Sequence, residues 1–107
     1  MRIELLYFDG CPSYREVLPR LRQLIAKAGL EAEVELRRIE TAEEAGRERF
    51  LGSPSIRVDG VDVDPGAAGR ADFGVECRLY RSGGPVTRTP PDAWIEAALR
   101  RARAASG

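Results

Sequence analysis

The sequence predicts one α/β domain in which a mixed four-stranded sheet, with the element order β-α-β-α-β-β-α, is flanked by helices on both faces. Three observations support this prediction. The 107 residues suit a single compact domain. Apolar residues recur alternately with the spacing of strands and of helices, and glycine and proline signals separate the segments. The first two strands should be parallel neighbours, because a crossover through a helix is right-handed.

The first half of the chain predicts two strand–helix units. The apolar run at residues 3–8 indicates a strand covered on both faces, and therefore a central one. Apolar residues from 17 to 28 repeat at helical spacing and predict the first helix. Alternation at residues 32–37 indicates a strand near a sheet edge. Thr41 and Glu44 then form a capping box, which opens a second helix expected to end near residue 52.

The second half predicts a hairpin, a loop, a last strand and a helix. Residues 56–58 predict a short strand closed by an Asp-Gly turn, and residues 61–63 could form the return arm of a small hairpin. After a loop, the alternation at residues 73–79 predicts a strand, with Cys77 on its apolar side beside valine and leucine. The final helix should start near Thr89, which can cap it and is followed by two prolines.

Composition excludes several classes of function. The chain has 17 basic and 17 acidic residues, so its charge favours neither a nucleic acid nor a membrane as partner. It has no apolar run near the roughly 18 residues of a membrane span and no signal-peptide pattern, so a cytoplasmic location is expected. Without histidine, and with only two cysteines far apart in sequence, neither His-assisted catalysis, nor a disulfide framework, nor a zinc site is expected.

Cys11 is the residue that is most clearly suited to a chemical role. It should lie at the carboxyl end of the central strand and at the N-cap of the first helix, with Pro12 at the first helical position. Unpaired amides around Ser13 and Tyr14, together with the helix dipole, would favour its thiolate. The alternative is that Cys11 only fills a small apolar corner. Asp9, which lies beside Cys11, could take part in proton transfer, but an Asp-Gly pair after a strand more often forms a turn.

These features resemble the thioredoxin superfamily. Its members place a reactive cysteine after the first core strand, and in the thioredoxin branch a helix proline follows at the distance that Pro19 has from Cys11. The stretch "GSPSIRVDG" resembles the family's cis-proline segment. The resemblance implies a thioredoxin-like fold, a cis peptide bond before Pro54, and a Ser53 backbone that faces whatever occupies the thiol.

The sequence departs from the dithiol members, because Tyr14 stands where they have a second cysteine. Three alternatives remain. Cys11 works as a monothiol, as in glutaredoxins, and glutathione or another small thiol resolves its mixed disulfide, although residues 62–66 replace the glutathione-binding signature of that branch. Cys77 is the resolving thiol, despite its predicted burial. In the third alternative, the thiolate captures a soft metal ion.

The predicted function is therefore thiol–disulfide redox chemistry with Cys11 as the nucleophile and, in one alternative, Cys77 as the resolving thiol. The other substrate-binding candidates are Pro12, Ser13, Tyr14, Ser53 and Pro54. The expected partner is a disulfide-bearing protein or a small thiol, and no cofactor is expected beyond such a thiol as co-substrate. The alternative is a non-enzymatic binding or trafficking protein for soft metal ions or for a protein partner. A Cys11 sulfur closed off from solvent, or a Pro54 that lies far from it with an ordinary trans bond, would contradict this interpretation of the site.

Overall fold

The structure is a computed structural model that describes residues 1–106. Its strands and helices follow the predicted order up to the hairpin. The strands are β1 (Ile3–Tyr7), β2 (Val34–Arg38), β3 (Ser55–Val58) and β4 (Val61–Asp62), and the helices are α1 (Ser13–Lys27), α2 (Ala42–Glu48) and α3 (Asp92–Ser106). One 3₁₀ turn, Ala67–Gly69, lies in the loop between β4 and α3.

The four strands form one mixed sheet in the order β2-β1-β3-β4. β1 runs parallel to β2 and antiparallel to β3, and β3 pairs with β4 as a hairpin. The predicted central position of the first strand, its parallel neighbour and the edge position of the second strand are confirmed. Because β1 is central, the chain that leaves its carboxyl end emerges in the middle of the sheet edge.

Alternate residues of β1 supply two hydrophobic cores. Leu5 packs with Leu21 of α1 and Leu99 of α3 on one face of the sheet. Leu6 packs with Ala45 of α2 on the opposite face. Apolar burial on both faces is the main source of stability for such a layered fold, and it explains why the β1 sequence is an almost unbroken apolar run.

The second helix starts as predicted and ends earlier. The Thr41 hydroxyl accepts a hydrogen bond from the Glu44 amide at 3.1 Å, and the Glu44 carboxylate accepts one from the Glu40 amide at 2.7 Å. The helix ends at Glu48 because Arg49 adopts a left-handed conformation with φ 56°. This turn directs the following residues back towards the sheet, where the Phe50 side chain is buried.

The predicted last strand at residues 73–79 is wrong. Within residues 1–106 this region makes only isolated bridges, Ser53 with Cys77 and Tyr80 with Thr87. The side chains also face the opposite way from the prediction. Arg78 and Tyr80 are 2 % and 0 % exposed, whereas Cys77 and Leu79 face outward.

Arg78 lies inside because it has partners there. Its guanidinium donates to the Asp62 carboxylate at 2.7 Å, to Asp64 at 3.3 Å and to the Ser55 hydroxyl at 2.9 Å. A buried charge is tolerated only when it is paired and hydrogen-bonded in this way. The polar partners on the β4 side therefore determine the orientation of this segment, against the apolar alternation of its own sequence.

The final helix begins at Asp92 and not near Thr89. Pro91 disfavours helical geometry at Pro90, which accounts for the later start. The apolar stripe of this helix is as predicted, because Ile95, Leu99 and Ala102 are all buried against α1 and the sheet. Among residues 1–106, no helix has both the length and the apolar character that a bilayer crossing requires.

Replacing the buried arginine should destabilise the protein. In Arg78→Met, the Asp62 and Asp64 carboxylates lose their common cation, and removing one partner of a buried ion pair costs about 3 kcal/mol or more. Urea unfolding measures this loss. The control is Arg81→Met, because Arg81 is exposed in the same stretch. Equal stability of the two variants would show that the Arg78 network does not hold the segment in place.

Candidate functional site

Cys11 lies in the turn between β1 and α1. Its amide donates to the Phe8 carbonyl at 3.2 Å, which closes the turn. Pro12 occupies the N-cap position and α1 begins at Ser13, so the predicted positions of Cys11 and Pro12 are each wrong by one residue. The shift matters little for the thiol, because the Ser13 amide still lowers the pKa of Cys11.

The surroundings of Cys11 favour its thiolate. Burial acts against ionisation and raises the pKa, but a hydrogen bond from the Cys77 thiol and further ones from Ser13 and Ser53 together outweigh it. The net effect lowers the pKa of the Cys11 thiol below its ordinary value. This is the direction that the sequence predicted, although only one of the predicted helix amides, that of Ser13, contributes.

Ser53 and Pro54 lie directly against the thiol. The Ser53–Pro54 peptide bond is cis, as predicted. The Cys11 Sγ donates to the Ser53 carbonyl at 3.5 Å. The Ser53 hydroxyl is buried and has no hydrogen-bond partner among residues 1–106 while Cys11 is a thiol. When Cys11 ionises, its sulfur becomes an acceptor that this hydroxyl can reach, which is consistent with the effect of Ser53 on the Cys11 pKa.

Residues 76–80, here called the docked segment, cover this site. The Ser53 amide donates to the Glu76 carbonyl at 2.8 Å, and the Arg78 amide donates to the Ser53 carbonyl at 2.9 Å. Cys77, between those two residues, thereby lies opposite Ser53. The predicted role of the Ser53 backbone, to face whatever occupies the thiol, is fulfilled by the chain's own Cys77 region.

Two side-chain contacts and one glycine fix the docked segment, and the sequence analysis missed all three. The Tyr80 hydroxyl donates to the Pro54 carbonyl at 2.5 Å, and Arg78 forms the ion pairs described above. Gly52 has φ +115°, and a Cβ there would lie 2.9 Å from the Glu76 carbonyl oxygen, so this close approach requires glycine. Asp62 and Asp64, acidic residues next to a short hairpin, were the available sequence signal for a buried cation.

The exposure of the two cysteines is the reverse of the prediction. Cys11 is 0 % exposed, whereas Cys77 is exposed. The expectation that Cys11 itself meets an external substrate is therefore wrong for this arrangement, and so is the expectation that Cys77 is buried. The second error has a clear cause, because the docked segment turns Arg78 and Tyr80 inward and Cys77 outward.

The two thiols are unequal in acidity. The hydrogen bond to Cys11, followed by burial and by the charge of the Cys11 thiolate, raises the pKa of the Cys77 thiol. Cys11 therefore loses its proton first, and Cys77 keeps a proton that it donates towards the Cys11 sulfur. In this arrangement the more acidic thiol lies beside a second sulfur, and intramolecular disulfide formation requires such a neighbour.

Other predicted residues have structural roles. Tyr14 stacks on Tyr7 with ring centroids 4.1 Å apart, and its hydroxyl accepts from Arg15 at 3.1 Å, so it covers the helix start. Asp9 pairs with Arg38 at 2.9 Å, which favours its role in the turn over proton transfer. Pro19 lies within α1.

A groove opens beside Cys77. It has a volume of about 560 Å³, and its lining includes Leu51, Arg70, Glu76, Cys77, Leu79 and Arg81. A second hollow of about 540 Å³ lies near Arg57 and Arg101 and contains neither cysteine. Of these two hollows, the groove has Cys77 in its lining, and neither includes Cys11.

Residues 1–106 hold no group of three or more histidine, cysteine or acidic side chains that would suit a metal ion, so a metal bound at this site would have two sulfur ligands from the chain. No protein-family model, curated protein or solved structure matches the chain. The functional argument therefore depends on the geometry of the two cysteines.

Removing the Cys77 thiol should make Cys11 less acidic. In Cys77→Ala, burial still raises the pKa of Cys11, while the hydrogen bond that most strongly lowers it is lost. The ultraviolet absorbance of the thiolate, followed against pH, should show Cys11 ionising at higher pH than the first thiol of the wild type. Leu79→Ala, an exposed neighbour, serves as control and should leave the first ionisation unchanged. An unchanged Cys11 titration in Cys77→Ala would show that the two thiols do not interact.

Proposed function

We propose that the protein is a thiol–disulfide redox protein, similar in architecture to the thioredoxin superfamily, in which Cys11 and Cys77 alternate between a dithiol and a disulfide. The observation that carries this proposal is the bridge between Ser53 and Cys77, because the same Ser53 carbonyl accepts from the Cys11 sulfur and the two cysteines therefore meet at Ser53. Their interaction lowers the pKa of Cys11 and raises that of Cys77. Neighbouring thiols of unequal acidity suit an exchange in which the thiolate attacks the sulfur beside it.

The overall reaction balances without a further cofactor. A substrate disulfide gains two electrons and two protons and becomes two thiols. Cys11 and Cys77 lose the same electrons and protons and form one disulfide between them. A second thiol compound, glutathione or another small thiol, then restores the dithiol by the reverse exchange. Cys77 thus acts as the partner thiol that Tyr14 does not provide.

The element order and the position of the cis peptide bond support the relationship to thioredoxins. The cis bond precedes β3 and contacts the thiol that follows β1, and a proline lies within the helix after that thiol. A dithiol of this kind persists in a reducing compartment, so a cytoplasmic location remains part of the proposal.

The residues that replace the glutaredoxin signature have another use here. Asp62 and Asp64 hold the Arg78 guanidinium and thereby fix the docked segment. Their carboxylates are not free to receive a cationic group of glutathione. The proposal therefore takes glutathione only as one possible small thiol and assigns it no binding site on β4.

Mild oxidation should produce one intramolecular disulfide. Treatment of the reduced protein with oxidised glutathione should lower its mass by two hydrogens and protect both cysteines from alkylation, and dithiothreitol should reverse both changes. Cys11→Ala and Cys77→Ala should each prevent the loss of mass. If the wild type keeps both thiols alkylatable under conditions that oxidise a free dithiol, the proposed redox cycle is wrong.

A second candidate function is the binding of a soft metal ion without turnover. The observation that favours it is the pairing of two sulfurs with no third ligand group among residues 1–106, a set suited to Hg²⁺ or Cu⁺ in two-coordinate geometry. This candidate predicts a tight complex with one ion per chain, lost in Cys11→Ala and in Cys77→Ala, and no catalysis of disulfide exchange. Catalysis by the metal-free protein would contradict it.

A further inference from the structure

The two sulfurs of the pair differ in their access to substrate. Cys11 is 0 % exposed, and its sulfur contacts the Ser53 carbonyl, where the docked segment pairs with Ser53. Cys77 is exposed and lines the groove of about 560 Å³. Disulfide exchange requires the attacking and attacked sulfurs to approach in line, so a covered sulfur cannot receive an external reactant unless the covering segment moves.

We propose that Cys77 is the sulfur that forms the mixed disulfide with a low-molecular-weight thiol in the adjacent groove. Cys11 is the buried partner, which leaves Cys77 when the mixed disulfide forms and bonds to Cys77 again when the mixed disulfide is resolved. This inference depends on the proposed redox function and specifies its order. It is the reverse of the order in one alternative from the sequence, in which Cys11 meets the substrate and Cys77 resolves the product.

The oxidation of a small thiol illustrates the order. A substrate thiolate attacks the exposed Cys77 sulfur, a bond forms between substrate and Cys77, and the Cys11–Cys77 bond breaks. Cys11 departs as the thiolate, stabilised by the Ser13 amide and the Ser53 hydroxyl. A second substrate thiolate then attacks the substrate sulfur of the mixed disulfide, which releases Cys77 to take up a proton. Two substrate thiolates have become one disulfide, and the protein disulfide has become a dithiol.

The reverse direction uses the contact between the two thiols. Cys77 passes its proton to the Cys11 thiolate and attacks the substrate disulfide, and the first substrate thiolate leaves. That leaving thiolate takes the proton from Cys11. Cys11 then attacks the Cys77 sulfur of the mixed disulfide and releases the second substrate thiolate. Cys11 thus acts first as the base and then as the nucleophile.

The backbone groups of Ser53 that the docked segment occupies limit the class of substrate. Both backbone groups of Ser53 are used by Glu76 and Arg78, so they are unavailable to pair with an extended polypeptide. The open groove is of a size typical of small-ligand sites, with apolar Leu51 and Leu79 and polar Glu76 in its lining. A small disulfide can enter it without displacing the docked segment.

Trapping the mixed disulfide tests the assignment. Cys11→Ser and Cys77→Ser are incubated with oxidised glutathione and quenched with acid, and the adduct is located by mass spectrometry after thermal unfolding has shown that both variants fold. Cys11→Ser should accumulate one glutathione per chain on Cys77, because the partner that would remove it is absent. Cys77→Ser should show no adduct under the same conditions. An adduct that forms on Cys11 faster than on Cys77 would overturn the inference.

A wild-type control separates the two proposals. If the wild type forms its Cys11–Cys77 disulfide while only Cys77→Ser carries an adduct, the redox function holds and the proposed order is wrong. If the wild type forms no disulfide, the redox function itself fails.

The substrate class has a separate test. The reduced wild type should react faster with oxidised glutathione than with the disulfides of insulin. The opposite preference would show that the groove is not the substrate site and would overturn that part of the inference.

Discussion

The backbone pairing between Ser53 and the docked segment is the constraint on which the site depends. It joins the turn before β3 to residues that lie far along the chain, and it places Cys77 over Cys11. Gly52 permits the close approach, Arg78 anchors the segment to the β4 side, and Tyr80 holds the Pro54 carbonyl. Without this pairing, Cys11 would be a lone thiol at a helix start, which by itself indicates little about function.

The docked segment separates two properties that a reactive thiol often combines. The Cys11 thiol is the more acidic of the two, because donors from Ser13, Ser53 and Cys77 surround its sulfur. Cys77 is the more accessible, and its interaction with Cys11 raises its pKa. Because the low-pKa thiolate is the better leaving group and the exposed sulfur is the easier target, this separation favours exchange in one defined order.

Local patterns in the sequence were sufficient to predict the central strand, its parallel neighbour and the helix faces, and the resemblance to thioredoxins implied the cis bond before Pro54. They failed where contacts distant in sequence decide the structure. The apolar alternation around Cys77 indicated a strand that faces the core. The real partners of this segment are Ser53 and the carboxylates of Asp62 and Asp64. Periodicity cannot report such partners, so the orientation of Arg78 and the meeting of the two thiols were not predictable from local pattern.

Amide hydrogen exchange of Ser53 and Arg78 tests the docking of the segment most directly. Both amides donate hydrogen bonds across the contact, so they should exchange slowly, at rates similar to that of Leu5 in the central strand. Exchange of either amide at the rate of Gly84, an exposed loop residue, would show that the segment is not docked in solution and would contradict the pairing of Cys11 with Cys77.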